Sequence, residues 1–127
     1  MSLDIVISAW TTSSVPVCTV APDAAIRERV EAARQIQRER FRRTHAQCNA
    51  EMSSRQLRRH CELDPSSRRL IEQAIARLGL SARAYDRVLK VARTIADLAG
   101  TEHLDSAHVA EAVHYRALDR GYFRCAS

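Results

Sequence analysis

Residues 78–100 read LGLSARAYDRVLKVARTIADLAG, and this stretch decides the fold. Ser81 is placed to cap a helix, because its hydroxyl can accept a backbone N–H left without a partner in the first turn. Tyr85, Val88, Leu89, Ala92, Ile95, Ala96 and Ala99 then return to one face at the helical period, while Arg83, Asp86, Arg87, Lys90, Arg93 and Asp97 occupy the other. Gly100 stops the run, as a residue free to adopt left-handed backbone does.

Similar signals extend outward. Upstream, Asp64-Pro65 is a cap followed by proline at the first helical position, and Leu70, Ile71, Ala74, Ile75 and Leu78 form a buried stripe that ends at Gly79. Ser53, with Gln56 three residues on, starts a short helix with a capping box. Asp23 opens the first helix, which runs to about Arg43, with Ile26, Val30, Ala33, Ile36 and Phe41 inward. Downstream, Asp105 starts a helix through about Leu118, with Val109, Ala110, Val113 and Ala117 inward. His114, on the Leu118 side of that helix, is expected to pack, and His108 in its first turn to be exposed. The short connections predict an all-α, compact bundle of four to five helices. Its domain spans residues 23–120, with 121–127 a tail. In residues 1–22, Leu3–Ile7 has the alternation of a strand, and a Ser/Thr/Val/Pro linker follows to Pro22. A lone strand hints at a sheet domain upstream.

A chain of 127 residues is long enough to bury a core without disulfides or metal. Hydrophobic content of 46% with 28% charged residues describes a soluble globular domain, and no stretch is apolar enough for a membrane span. Only three glycines are present (Gly79, Gly100, Gly121), so neither GxxxxGK[ST] nor GxGxxG can be written. A self-sufficient nucleotide enzyme of the usual kinds is thereby excluded. No HExxH and no defensible Ser/His/Asp order are found. Cys18, Cys48, Cys61 and Cys125 form no CxxC pair; His45, Cys48, His60 and Cys61 only faintly resemble a zinc set, and idle thiols in a reducing cytosol explain them better, so no metal is expected.

The net charge is +5, carried by 19 arginines and the single Lys90. Residues 27–69 hold twelve arginines against six acids, whereas residues 70–127 are close to neutral. Such a segment can attract phosphate backbones, and Arg34, Arg38, Arg42, Arg43, Arg58 and Arg59 are its candidate contacts with nucleic acid. Local charge alone favours the plainer explanation, a solvated helix face. Arg83 is a different case. It lies in the first turn of the Ser81 helix, where acids are preferred, and becomes electrostatically sensible if an anion such as a phosphate sits nearby. Arg87 extends the stripe. Pattern alone would still make Arg83 a surface charge.

The stretches IRERVEAARQIQRERF (26–41), CNAEM (48–52), CELD (61–64), LGLSARAYDRVLKVARTIADLAG (78–100) and HVAEAVHYRALDR (108–120) resemble the C-terminal domain of the magnesium-chelatase-like AAA+ ATPases, the competence-related ComM/YifB family. The resemblance covers about three-quarters of the chain and is most specific over 80–98. It implies a helical lid that follows a P-loop ATPase core, with a sensor-2 arginine at the γ-phosphate. Arg83, in Ser-Ala-Arg-Ala, takes that position, with Arg87 or Arg93 as helpers. ATP and Mg2+ as cofactors of the whole protein, a hexameric ring, a link to DNA and a cytoplasmic location follow from the same resemblance. The chain alone is expected to bind no cofactor and to turn over no ATP. The rival expectation is a basic helical module that binds nucleic acid through the Arg27–Arg69 region.

Overall fold

A computed structural model describes residues 22–124, and the strand expected at Leu3–Ile7 lies outside them. The described residues form five α-helices and a short 3-10 turn. Helix α1 spans Asp23–Phe41, the turn Asn49–Glu51, α2 Ser54–His60, α3 Pro65–Leu78, α4 Ala82–Leu98 and α5 Ser106–Arg124. Helix α4, the stretch that decided the fold, is central. It packs against α1, the 3-10 turn, α2 and α5, and α3 packs against α5.

The helix boundaries follow from local chemistry. The Ser53 hydroxyl accepts from the Gln56 N–H, and the Gln56 side chain accepts from the Ser53 N–H, completing the capping box of α2. The Asp64 carboxylate accepts the N–H groups of Ser66 and Ser67 at the start of α3. Side-chain hydrogen bonds from those same serines hold Asp64 down at about 2. Ser81 caps α4 by accepting from the Ala84 N–H. Gly79 and Gly100 end α3 and α4 at φ of +59° and +72°, with open space where a Cβ would sit. Backbone conformation rather than crowding therefore requires glycine there. Helix α1 differs from expectation: Pro22, not Asp23, occupies the capping position, and the helix stops at Phe41. Helix α5 runs past both Leu118 and the expected boundary at Arg120.

Phe41, Met52, Leu57, Ile71, Val88, Leu89, Val109 and Val113 form the core, each side chain contributing roughly 1.5–3 kcal/mol through burial. Ala74, Ala92, Ala96 and Ala112 fill the remaining helix contacts with single methyl groups, and small side chains let helix axes approach closely. Leu63 and Leu104 join the two interhelical connections by one parallel backbone bridge. Two expected inward positions are exposed: Ile26, at 45%, and Ala99, in the turn that ends α4. The two histidines of α5 exchange roles: His114 is exposed, while half-buried His108 accepts the Asp105 N–H on Nδ1 at 3.1 Å.

Candidate functional site

Backbone geometry builds the first turn of α4 from Ser81 outward. The Ser81 carbonyl accepts the N–H groups of Ala84 and Tyr85 at 2.9 and 3.2 Å. The N–H groups of Ala82 and Arg83 have no acceptor among the described residues, as is usual before a helix closes its first hydrogen bond. No acid stands in this turn. Arg83 is exposed and has neither an ion pair nor a side-chain hydrogen bond among the described residues. Arg87, one turn on, is also exposed and lines an open cleft of about 580 Å³ with Lys90, Val91, Tyr115 and Arg116. Two guanidiniums with no ion pair or side-chain hydrogen bond among the described residues therefore share one face, four residues apart, beside the positive end of a helix dipole. Arg83 itself does not line that cleft.

Arg93 requires a correction. The α4 pattern puts Arg93 and Asp97 on the polar face, yet they are 4% and 1% exposed. Asp97 is the hub of a buried network. Its carboxylate accepts from Arg40 at 2.5 and 2.7 Å, from the Asn49 amide at 2.8 Å and from Arg93 at 3.0 and 3.2 Å. The rest of the Arg93 guanidinium donates to the carbonyls of Thr101 and Glu102, at 2.9 and 2.6 Å. Asn49 in turn accepts from Arg40, donates to Thr94, and donates its backbone N–H to Gln37. Burial alone would push the Asp97 carboxyl up; hydrogen bonds from Arg40 and Asn49, with the charges of Arg40 and Arg93, hold it below the usual range. Arg93 thus ties α4 to its own exit loop, and reaching a ligand would strip Asp97 of a partner.

The basic segment separates into parts. Arg42 and Arg43, past the end of α1, meet Arg59 across a cleft of about 490 Å³. Arg55, one turn before Arg59 on α2, joins them, as do Arg40 and His60, none of which was among the candidate nucleic-acid contacts. Arg34, Arg38 and Arg58 are exposed elsewhere, with Arg38 donating to Gln35 and lying 3.9 Å from Glu31. The spacing of Arg55 and Arg59 by four was visible in SRQLRRH; their meeting with the end of α1 was not. The His60 imidazole stands edge-on to the Phe41 ring, and burial, followed by the charges of Arg40, Arg59 and Arg93, holds it below its ordinary range. Burial likewise pushes the Cys61 thiol up to about 11. Among the described residues no three His, Cys, Asp or Glu side chains gather as a metal site, and no helix is long and apolar enough to cross a membrane.

The chain is 44% identical over 97 residues to the competence protein ComM of Haemophilus influenzae, covering 76% of this chain and 18% of that protein. It is 42% identical over 105 residues to YifB of Escherichia coli, covering 80% and 20%, and 41% identical over 97 residues to YifB of Salmonella typhimurium, covering 76% and 18%. It therefore spans no more than a fifth of the length of these relatives. Residues 21–116 match the family described as magnesium chelatase, subunit ChlI C-terminal, and the chain belongs to that family.

Proposed function

We propose that this helical domain is the lid of a larger magnesium-chelatase-like ATPase and that Arg83 is its sensor of the nucleotide's terminal phosphate. The observation that carries the proposal is the exposed Arg83 guanidinium, without a partner among the described residues, in the acid-free first turn of the central helix. Its cost at a helix N-terminus is removed when an anion approaches. ATP with Mg2+ would be held mainly by a phosphate-binding loop outside this sequence. What this chain supplies is a charge on a rigid element: Arg83 comes within reach of the developing phosphoryl charge when the lid closes and leaves when it opens. Arg87, on the same face, extends the positive field. Arg93, committed to Asp97 and two carbonyls, takes no part. The chain performs no turnover by itself under this proposal. The whole protein acts as a cytoplasmic ring, a hexamer, with Arg83 serving the nucleotide of its own subunit or of a neighbour. One relative is named a competence protein, and we extend a competence-related role in processing DNA to the whole protein as part of the same proposal.

The test is Arg83→Ala in the full-length protein. ATP hydrolysis is expected to fall at least about tenfold, equivalent to about 1.4 kcal/mol of transition-state stabilisation, with the domain still folded. Arg83→Lys should restore only part of it, because an ammonium lacks the bidentate fork. Wild-type turnover in Arg83→Ala would refute the assignment. A nucleic-acid module spread over Arg34, Arg38, Arg42, Arg43, Arg58 and Arg59 is the weaker account of the domain, because only three of the six line a common cleft.

A further inference from the structure

The end of α1 and the face of α2 enclose a concentration of positive charge that the lid proposal does not use. Four guanidiniums, those of Arg42, Arg43, Arg55 and Arg59, line one cleft and have no ion pair or side-chain hydrogen bond among the described residues. Arg40, on the same wall, is already engaged by Asp97 and Asn49. The single acid lining the cleft, Glu39, accepts from the neighbouring Gln35 amide at 3.4 Å. Elsewhere in the molecule arginines do find acceptors: Arg38 has Gln35 and Glu31, and Arg93 has Asp97 and two carbonyls. Arg83 and Arg87 also lack acceptors among the described residues, so what is particular to these four is that they converge on one concavity.

We propose that this cleft is a second anion site, built for closely spaced phosphates, with Arg42, Arg43, Arg55 and Arg59 as its ligands. It shares no residue with the Arg83–Arg87 face and stands or falls apart from the lid assignment. Like-charged guanidiniums around one concavity repel one another, and a multivalent anion relieves that repulsion while filling their planar donor forks. Its volume, about 490 Å³, suits a chain of a few phosphoryl groups. The chemistry selects phosphate and not base. Phe41, adjoining the cleft, is buried, no tyrosine, tryptophan or phenylalanine lines the walls, and the one aromatic lining side chain, half-buried His60, is already packed edge-on with Phe41, so no broad stacking platform is offered. Recognition would be independent of sequence and sensitive to salt. The same chemistry occurs in the backbone of a nucleic-acid strand and in a free oligophosphate, and two probes tell these sources apart.

The experiment uses the purified chain with a fluorescent oligodeoxythymidylate of about 20 nucleotides, long enough to cross such a site, and with inorganic tripolyphosphate by calorimetry. Reversing two charges in the cleft, Arg43→Glu with Arg59→Glu, should weaken binding at least about tenfold, whereas the same charge change outside it, Arg34→Glu with Arg38→Glu, should weaken it less than about threefold. For the oligonucleotide, four contacts predict a loss of about fiftyfold between 50 and 200 mM salt, from a slope of roughly 0.7 per contact on single strands. Arg43→Gln with Arg59→Gln, checked for an unchanged helical circular dichroism signal, keeps the test valid if the double reversal does not fold. Binding of tripolyphosphate alone identifies a free oligophosphate as ligand, and binding of the oligonucleotide alone identifies the strand; displacement of one by the other shows a site that serves both, and each supports the proposal. Equal weakening by the two charge reversals, or no binding of either probe at low salt, overturns it.

Discussion

Arg83 and Arg93 stand on one helix, less than three turns apart, in opposite surroundings. Arg93 is buried, and its guanidinium makes hydrogen bonds to a carboxylate and two carbonyls. Arg83 is exposed at the mouth of the helix and makes none among the described residues. The same residue type is thus a structural tie at one end of α4 and an available charge at the other. Residue type and helical face do not distinguish the two; the number of acceptors converging on each guanidinium does. A buried charge lacking partners would destabilise the bundle, while an exposed charge near the positive end of a dipole is tolerated at small cost.

The comparison is broken most severely at Asp97. Asp97→Ala leaves the guanidiniums of Arg40 and Arg93 facing each other across a space with no carboxylate. Removing one partner from a buried ion pair costs about 3–5 kcal/mol, a large share of the roughly 5–15 kcal/mol that holds a domain together. Urea unfolding should show the midpoint falling accordingly, with the 3-10 turn and the Thr101–Glu102 loop losing amide protection first, since Asn49 and both carbonyls belong to the network. A loss below about 1 kcal/mol would mean that the helices hold their places without it.

Acid sharpens the same contrast. The carboxyl of Asp97 titrates below its ordinary 3.8 in the folded chain, so its stabilising contribution is fully present above that pH and is lost as pH falls through the lower folded value. Asp64, held at about 2 by Ser66 and Ser67, acts with the same sign and in the same region. His60, lowered from 6.5, adds an earlier step: its contribution is complete above pH 6.5 and declines as the imidazole is forced to protonate. Stability measured against pH should therefore fall in two stages. Asp97→Asn should diminish the lower stage and leave the His60 stage in place. An unaltered lower stage would assign the acid response to Asp64 alone.

How much of this was legible in the sequence differs along the chain. Caps and stops were readable because each is a local event: Ser53 with Gln56, Asp64 before Pro65, Ser81, Gly79 and Gly100 act within one turn of themselves. The amphipathic period placed Val88, Leu89, Ala92 and Ala96 correctly for the same reason. The Asp97 network was not readable, because an Arg-x-x-x-Asp pair has the same spacing whether it faces water or a neighbouring helix. What buries it is Arg40 and Asn49, 57 and 48 residues away in sequence. The basic cleft failed for a related reason. Twelve arginines in one segment gave the charge, but only the bend between α1 and α2 selects Arg42, Arg43, Arg55 and Arg59 from among them. Arg83 was readable in position because the cap and the first turn define it; its role depends on a nucleotide site that this stretch of sequence does not contain.

The smallest expected effect is the most discriminating. If Arg83 were part of the scaffold, Arg83→Ala would destabilise the isolated domain. It has no acceptor to lose among the described residues, and its charge sits at the end of α4 where a cation is disfavoured. Alanine is also the better helix former. Thermal unfolding of Arg83→Ala should therefore show stability unchanged or raised, within about 0.5 kcal/mol, with any gain shrinking as salt screens the dipole. A loss beyond about 1 kcal/mol would place Arg83 with Arg93 among the structural ties and remove the contrast between the ends of the helix. An unchanged or raised stability, together with a loss of ATP hydrolysis in the full-length protein, has a specific meaning: a charge kept at a position that folding does not favour, for the sake of a ligand.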